Sequence, residues 1–210
     1  MPIHPRLTPD FNHWGPLAYL AAVLQQPGRV AANYWAGRSQ WRPRPVLVLV
    51  VLVALTTITL LLLQRYHPVW SILRQQTPLT PGQVAQLGGR VRFWGVFSNL
   101  RQLLLLPLYA LPTWLLYRRE GAGYADALFM HVLWNTAYNL YSLVLFALMA
   151  VQLQPVTQLG QPLQVLLPPV YLLAVGYQGL SLSWPMAIAK ALLTVISMGL
   201  VLRLLDFVGL

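Results

Sequence analysis

Residues 46–63 read VLVLVVLVALTTITLLLL, and this stretch decides the fold class. It carries no charge and follows Arg42, Pro43, Arg44 and Pro45. As a helix it rises about 27 Å, close to the thickness of a bilayer's hydrocarbon core. Its only hydroxyls are Thr56, Thr57 and Thr59. A helix can return such hydroxyls to its own carbonyls one turn back. One run of this kind also suits the central helix of a soluble core. Similar runs recur four more times along the chain, so the sequence predicts an all-α, polytopic integral membrane bundle.

Composition agrees. Apolar residues make up 57% of the 210 residues and charged residues only 9%, against about 25% charged in an average soluble domain. The chain lacks the charge to coat a water-facing surface. Its length suits one compact bundle of about five spans with no large soluble domain. There is no cysteine, which excludes disulfides, thiolate nucleophiles and cysteine-ligated metal sites. The formal net charge is +10, and Lys190 is the only lysine. No basic run sits on a soluble domain. The charge therefore reads as arginines flanking membrane spans rather than as a nucleic-acid surface. The first long apolar run lies too far in for a cleaved leader, and no small-residue cleavage site follows it. It is expected to act as an uncleaved signal anchor.

Residues 1–13 are polar and read as a disordered tail. From Trp14 to Gly37 an amphipathic segment follows, with Leu17, Leu20, Ala21 and Leu24 at helical steps. Pro27 breaks it or opens a second helix. Aromatic residues mix here with Arg29, Arg38, Arg42 and Arg44, a combination that favours anionic headgroups. Residues 1–44 are thus expected to form a tail and an interfacial amphipathic helix, and residues 45–210 the transmembrane bundle. Spans are predicted at about 46–63, 100–117, 125–151, 163–177 and 186–208. Pro107 and Pro112 kink the second span, and Gly121 and Gly123 close a tight turn into the third. The positive-inside rule puts the N-terminus and the Arg118–Arg119 turn in the cytoplasm and the C-terminus outside. No internal repeat argues for an inverted-repeat transporter.

The sharpest polar constellation is in the third span. His131, Asn135, Asn139 and Ser142 fall on one helical face, with Tyr138 beside it. Polar groups in hydrocarbon turn toward protein or a water cavity. The stripe therefore reads either as a substrate or proton path or as interhelical hydrogen bonds that hold the bundle. Asp126 opens the same span and complements its helix dipole. Lys190, Thr194 and Ser197 share a face of the fifth span, where an Asp126–Lys190 pair competes with Lys190 snorkelling to the headgroups. Arg203 and Asp206 read as a local pair.

An enzyme needs a nucleophile with a base, or a metal set. His131-x-x-x-Asn135 resembles one motif of the intramembrane CAAX-type proteases. Their paired-glutamate motif and second histidine motif have no counterpart here. Glu120 is the only glutamate, and His4, His13 and His67 lie outside the spans. Neither a catalytic residue, a metal nor a cofactor is expected, and Gly88-Gly89 lacks the spacing of a phosphate loop.

Several short motifs occur in order: Pro27-Gly28-Arg29-Val30 with Tyr34, Gly37, Arg38 and Pro45; Leu106-Pro107-Leu108-Tyr109-Ala110-Leu111; Tyr124-Ala125-Asp126 with Phe129 and His131; and Tyr171, Tyr177, Ser183-Trp184 and Lys190. Together they cover about residues 17–202. In this the chain resembles an uncharacterised bacterial family of polytopic membrane proteins, known as a domain of unknown function. The resemblance implies the architecture and a place in the bacterial cytoplasmic membrane, and supplies no reaction. It marks Asp126, His131, Tyr177 and Lys190 as candidate site residues. Many members carry an N-terminal zinc ribbon with paired CxxC motifs, which is missing here. Asn33 stands where an acidic residue often precedes the tyrosine of the first motif. A second likeness, of architecture alone, is to the Yip family of trafficking membrane proteins.

The function expected is a non-enzymatic membrane scaffold or accessory protein that packs against lipid, a partner membrane protein or a second copy. The alternative is a small transporter whose path follows His131, Asn135, Asn139 and Lys190.

Overall fold

The computed structural model describes residues 15–35, 44–66, 98–150 and 165–208. Among these, all regular structure is helical. We number the helices α1 (Pro16–Gln25), α2 (Pro27–Trp35), α3 (Pro45–Tyr66), α4 (Ser98–Tyr117), α5 (Tyr124–Ala150), α6 (Val165–Gly179) and α7 (Trp184–Val208). The helices α3 to α7 fall where the five spans are predicted. Two of them are long and apolar enough to cross a membrane, over Pro45–Leu62 and Trp184–Leu205.

Proline and glycine set the boundaries. Pro16, Pro27 and Pro45 each open a helix, where the missing N–H costs nothing. A 3-10 turn, Arg118–Glu120, ends α4, and Gly121 leaves it at φ +86°, a conformation glycine adopts without strain. The α5 helix then starts with Asp126 Oδ2 accepting the backbone N–H of Gly123 at 2.7 Å. This is the N3-to-N-cap half of a capping box. The last turn of α6, Val175–Gly179, widens to a π turn.

The centre of the bundle is α5, which packs against α1, α2, α3 and α4. Leu49 and Val53 of α3 meet Leu106 of α4 and Val132 of α5, and Thr56 reaches the Asn139 carbonyl. Low numbers therefore meet low and high meet high, so α3 runs parallel to α5. The tight turn makes α4 antiparallel to both. The start of α7 meets the end of α4 through Lys190 and Leu116, so α7 returns antiparallel to α4. Outward faces are apolar, as with Val46, Leu47, Val50 and Ile58 on α3 and Leu192, Ile196, Leu200 and Leu204 on α7.

The N-terminal helices dock on the bundle. Leu17 and Leu24, on the apolar face read from the spacing, are exposed at 82% and 46%. The opposite side of α1 is buried instead, through Tyr19, Ala22 and Val23. The helix is apolar all round, so spacing alone did not choose its inner face. The Tyr19 hydroxyl lies against the Thr136 side chain, about 18 Å along α5 from its first residue. The helices α1 and α2 share one core with Met130, Leu133, Trp134, Tyr171 and Val175.

The docking of α1 and α2 follows from Pro27. With no N–H there, the Val23 carbonyl loses its helical donor, and the Tyr171 hydroxyl of α6 supplies one at 2.9 Å. Gly28 then lets α2 come close to α6: a Cβ at this position would fall 2.7 Å from the Ala174 carbonyl oxygen. Tyr34 stacks on Phe129 with ring centroids 3.7 Å apart.

Candidate functional site

The polar stripe on α5 is brought together as the spacing predicts. His131, Asn135, Asn139 and Ser142 are all buried, with His131 fully so. The hydrogen bonds differ from either expectation, because most fold back onto α5 itself. Asn135 Nδ2 donates to the His131 carbonyl at 3.0 Å, and Asn139 Nδ2 donates to the Asn135 carbonyl at 2.9 Å. Thr136 and Ser142 hydroxyls donate to the Val132 and Tyr138 carbonyls. A short polar side chain can reach the carbonyl one turn back without any partner helix.

His131 is the member of the stripe that reaches across. The Trp134 indole N–H, which can only donate, bonds His131 Nδ1 at 2.9 Å. This assigns Nδ1 as the acceptor and leaves the proton on Nε2. Nε2 lies 2.7 Å from Thr113 Oγ1 on α4, whose hydroxyl donates to the Tyr109 carbonyl at 3.0 Å. A directed chain results: indole, imidazole, hydroxyl, carbonyl. Both ring nitrogens are hydrogen-bonded, so His131 presents no free lone pair to a metal. Among the described residues, no group of His, Asp and Glu forms a metal-binding cluster.

Lys190 is placed differently from both expectations. It is buried, and its Nζ donates to the Leu116 carbonyl at 2.6 Å and sits 2.5 Å from Glu120 Oε1. It also lies 5.0 Å from the centroid of the Tyr117 ring. The cation thus caps the C-terminal end of α4, where the helix dipole is negative. The Asp126–Lys190 pair, one of the two readings of Lys190, does not form: Asp126 is held by the Gly123 N–H on the first turn of α5. The partner that sequence reasoning missed is Glu120. The only lysine and the only glutamate of the chain meet here, and that shared rarity was the available signal.

The remaining candidates lie apart. Tyr177 is exposed and stacks on Trp184 at 4.9 Å, away from the α5 stripe. Arg29 and Arg44 are exposed, and Arg29 Nη1 donates to Gln26 Oε1 at 3.0 Å. Arg38 and Arg42 lie outside the described residues, as does the side chain of Asp206, the expected partner of Arg203.

Among the described residues, fold and site together define an all-α bundle with a buried polar stripe on α5 and a part-buried Lys190–Glu120 ion pair. Comparison with protein-family models, with curated proteins and with solved structures yields no match.

Proposed function

We propose that this chain is a multi-pass membrane protein whose helices α3 to α7 cross the bacterial cytoplasmic membrane, and that it acts as a non-enzymatic scaffold or accessory protein. The alternation of helix directions supports the multi-pass reading. The 20 residues of α4 and the 27 of α5 would extend about 30 and 40 Å, enough to cross a hydrocarbon core. Both are more polar than α3 and α7, and on α5 the polar groups turn inward. The resemblance to the family of unknown function points the same way. Its motif residues Gly28, Tyr34, Phe129 and Tyr171 fall on mutual contacts between α1, α2, α5 and α6.

One observation carries the scaffold reading over the carrier reading. The α5 stripe is buried and its donors are committed to its own helix, with both His131 nitrogens taken. A solute path needs donors that can change partners, and these would have to leave carbonyls of their own helix to do so; among the described residues, Asn139 Oδ1 is the one acceptor of the stripe that stands without a partner. The exposed Arg29, Arg44, Arg118 and Arg119 belong to the end of the bundle where α3 begins and α4 ends. In this reading they face anionic headgroups on the cytoplasmic side. Lipid and a partner membrane protein or second copy are then the partners, with no nucleic acid.

The test uses the full cysteine-free chain in native membranes. Resistance to alkaline carbonate extraction is expected, and release by carbonate would overturn the membrane reading. Single cysteines at Asn135 and Asn139 should stay unmodified by a membrane-impermeant thiol reagent from either side, while Arg119→Cys reacts. Modification of the stripe from both sides would favour the carrier instead.

A further inference from the structure

The short helix α1 carries an apolar face that the bundle leaves open. Leu17, Ala18, Ala21 and Leu24 are exposed, and Pro16–Gln25 holds no charged residue. The inner side of the segment is fixed at three levels. Tyr19 lies against Thr136 of α5. The Val23 carbonyl accepts the Tyr171 hydroxyl of α6 at 2.9 Å. Gly28, just past the helix, lies against Ala174 and Gln178. Low numbers meet low numbers on α6, so α1 runs parallel to α6. The end of α6 meets the end of α4, because a Cβ on Gly176 would fall 3.7 Å from the Tyr117 hydroxyl. Helix α1 therefore ends at the same end of the bundle as Arg118 and Arg119, and begins deeper inside it.

A helix lying flat among headgroups does not give these levels. Thr136 lies about 18 Å along α5 from its first residue, more than half of a hydrocarbon core about 30 Å thick. Leu17 precedes Tyr19 on α1 and belongs to the same depth, with its side chain turned away from the bundle. Exposed polar side chains come only toward the other end, at Gln25, Gln26 and Arg29. Helix α3 shows the same order along its outer face, where exposed Arg44 is followed by Val46, Leu47 and Val50. The open face of α1 thus continues the apolar surface of the bundle at the level of its middle. Pro16 at the first position removes one of the N–H groups that a helix start leaves open. That lowers the cost of beginning a helix away from water.

We propose that α1 is inserted into the membrane as a half-length helix beside α5 and α6, and that its face of Leu17, Ala18, Ala21 and Leu24 docks the acyl chains of the cytoplasmic leaflet. Its 10 residues extend about 15 Å, half of the hydrocarbon core. The inference rests on the multi-pass reading. It moves α1 from the headgroup layer into the hydrocarbon, and leaves Arg29 at the headgroups.

Depth-dependent fluorescence quenching tests it on the full-length cysteine-free chain in vesicles of phosphatidylcholine and phosphatidylglycerol. Leu17→Cys and Leu24→Cys, both at exposed positions and checked for an unchanged helical spectrum, each carry an environment-sensitive dye. Spin-labelled lipids quench it either from the headgroup or from near the end of the acyl chain. Leu17 and Leu24 lie two turns apart on one face, so a flat helix holds both dyes at one depth. An inserted helix separates them by up to about 10 Å. The Leu17→Cys dye should be quenched more strongly by the deep spin label than by the headgroup one, and the Leu24→Cys dye in the reverse order. Equal depths would overturn the proposal, as would a Leu17→Cys dye that emits as in water. Ile196→Cys, at an exposed position midway along α7, reports on the membrane reading separately. Deep quenching there beside a shallow Leu17→Cys dye rejects the insertion of α1 alone, whereas a water-exposed dye at Ile196→Cys rejects both readings.

Discussion

Replacing Gly28 with Ala tests how α2 is held on the bundle. The added Cβ would overlap the Gln178 Cβ and fall 2.7 Å from the Ala174 carbonyl oxygen and 2.7 Å from Gln178 Oε1. The end of Gln178 can swing aside, but its Cβ and the Ala174 carbonyl move only with the backbone of α6. Relief needs a shift of about 1 Å between two helices, to restore ordinary contact. Overpacking of this kind costs about 1–3 kcal/mol. Gly199→Ala supplies the control, because nothing lies within 4 Å of a Cβ there. In the interior of α7 it should gain up to about 1 kcal/mol from helix propensity alone. The two variants should therefore differ by about 2 kcal/mol or more in opposite directions around wild type. Equilibrium unfolding in mixed micelles followed by circular dichroism measures the global part. Hydrogen exchange of the amides in 27–35 reads local undocking of α2. Gln178→Ala should not rescue Gly28→Ala, since the Ala174 oxygen remains. The steric argument fails if Gly28→Ala matches Gly199→Ala in both assays, or if Gln178→Ala restores it.

Three further outcomes follow from the hydrogen bonds and the ion pair. Lys190→Met strands a partly exposed Glu120 carboxylate and uncaps α4, and should cost about 2 kcal/mol; Glu120→Gln should cost about 1 kcal/mol. A double-mutant cycle in the same unfolding assay should give a coupling of about 1 kcal/mol, and additivity would deny the pair. Tyr171→Phe should cost about 1 kcal/mol by orphaning the Val23 carbonyl, with faster exchange at the α1–α2 junction; no change in either would mean that carbonyl has another donor. His131→Leu should cost about 1–3 kcal/mol, because it leaves the Trp134 N–H unpaired in the core. Adding Trp134→Phe should recover part of that loss, and a further loss instead would contradict the assigned donor order.

Helix positions were legible in this sequence because prolines, glycines and uncharged runs mark them directly. Pro45 opens α3, and the Gly121 turn separates α4 from α5, as read. The burial of His131, Asn135, Asn139 and Ser142 was also legible, since a four-residue step puts them on one face. What could not be read was direction in space. The outward Leu17 and inward Tyr19 of α1 are both large and largely apolar, so periodicity does not rank them; the neighbouring Thr136 hydroxyl does. Lys190 had two acidic residues near its side of the bundle. Asp126 was the partner weighed against snorkelling, but its carboxylate is used by its own helix start, and the choice of Glu120 depends on where α7 crosses α4. Tyr177 drew attention from a motif, yet the π turn carries it to the outside, where it meets Trp184.

The α5 stripe shows why spacing alone cannot separate a path from a fastening. Asn, Thr and Ser are short enough to bond the carbonyl one turn back, so a helix can absorb them in series without any neighbour. Histidine is too long and too rigid to do so, and in a core it must find both a donor and an acceptor. Here Trp134 on its own helix supplies the donor, one turn along. Thr113 supplies the acceptor on α4, and its own hydroxyl proton goes to the Tyr109 carbonyl one turn back. The result ties α4 to α5 through one side chain, while the Asn135, Asn139 and Ser142 side chains donate to carbonyls of α5 and Thr56 of α3 reaches the Asn139 carbonyl. For a solute to use these groups, the Asn135 and Asn139 amides would have to leave their carbonyls and His131 would have to leave Thr113 or Trp134. Each exchange exposes a buried backbone or ring partner, at a cost of about 1 kcal/mol or more apiece. A passing solute would have to offset those losses along the whole stripe, which is why the geometry favours a fastening.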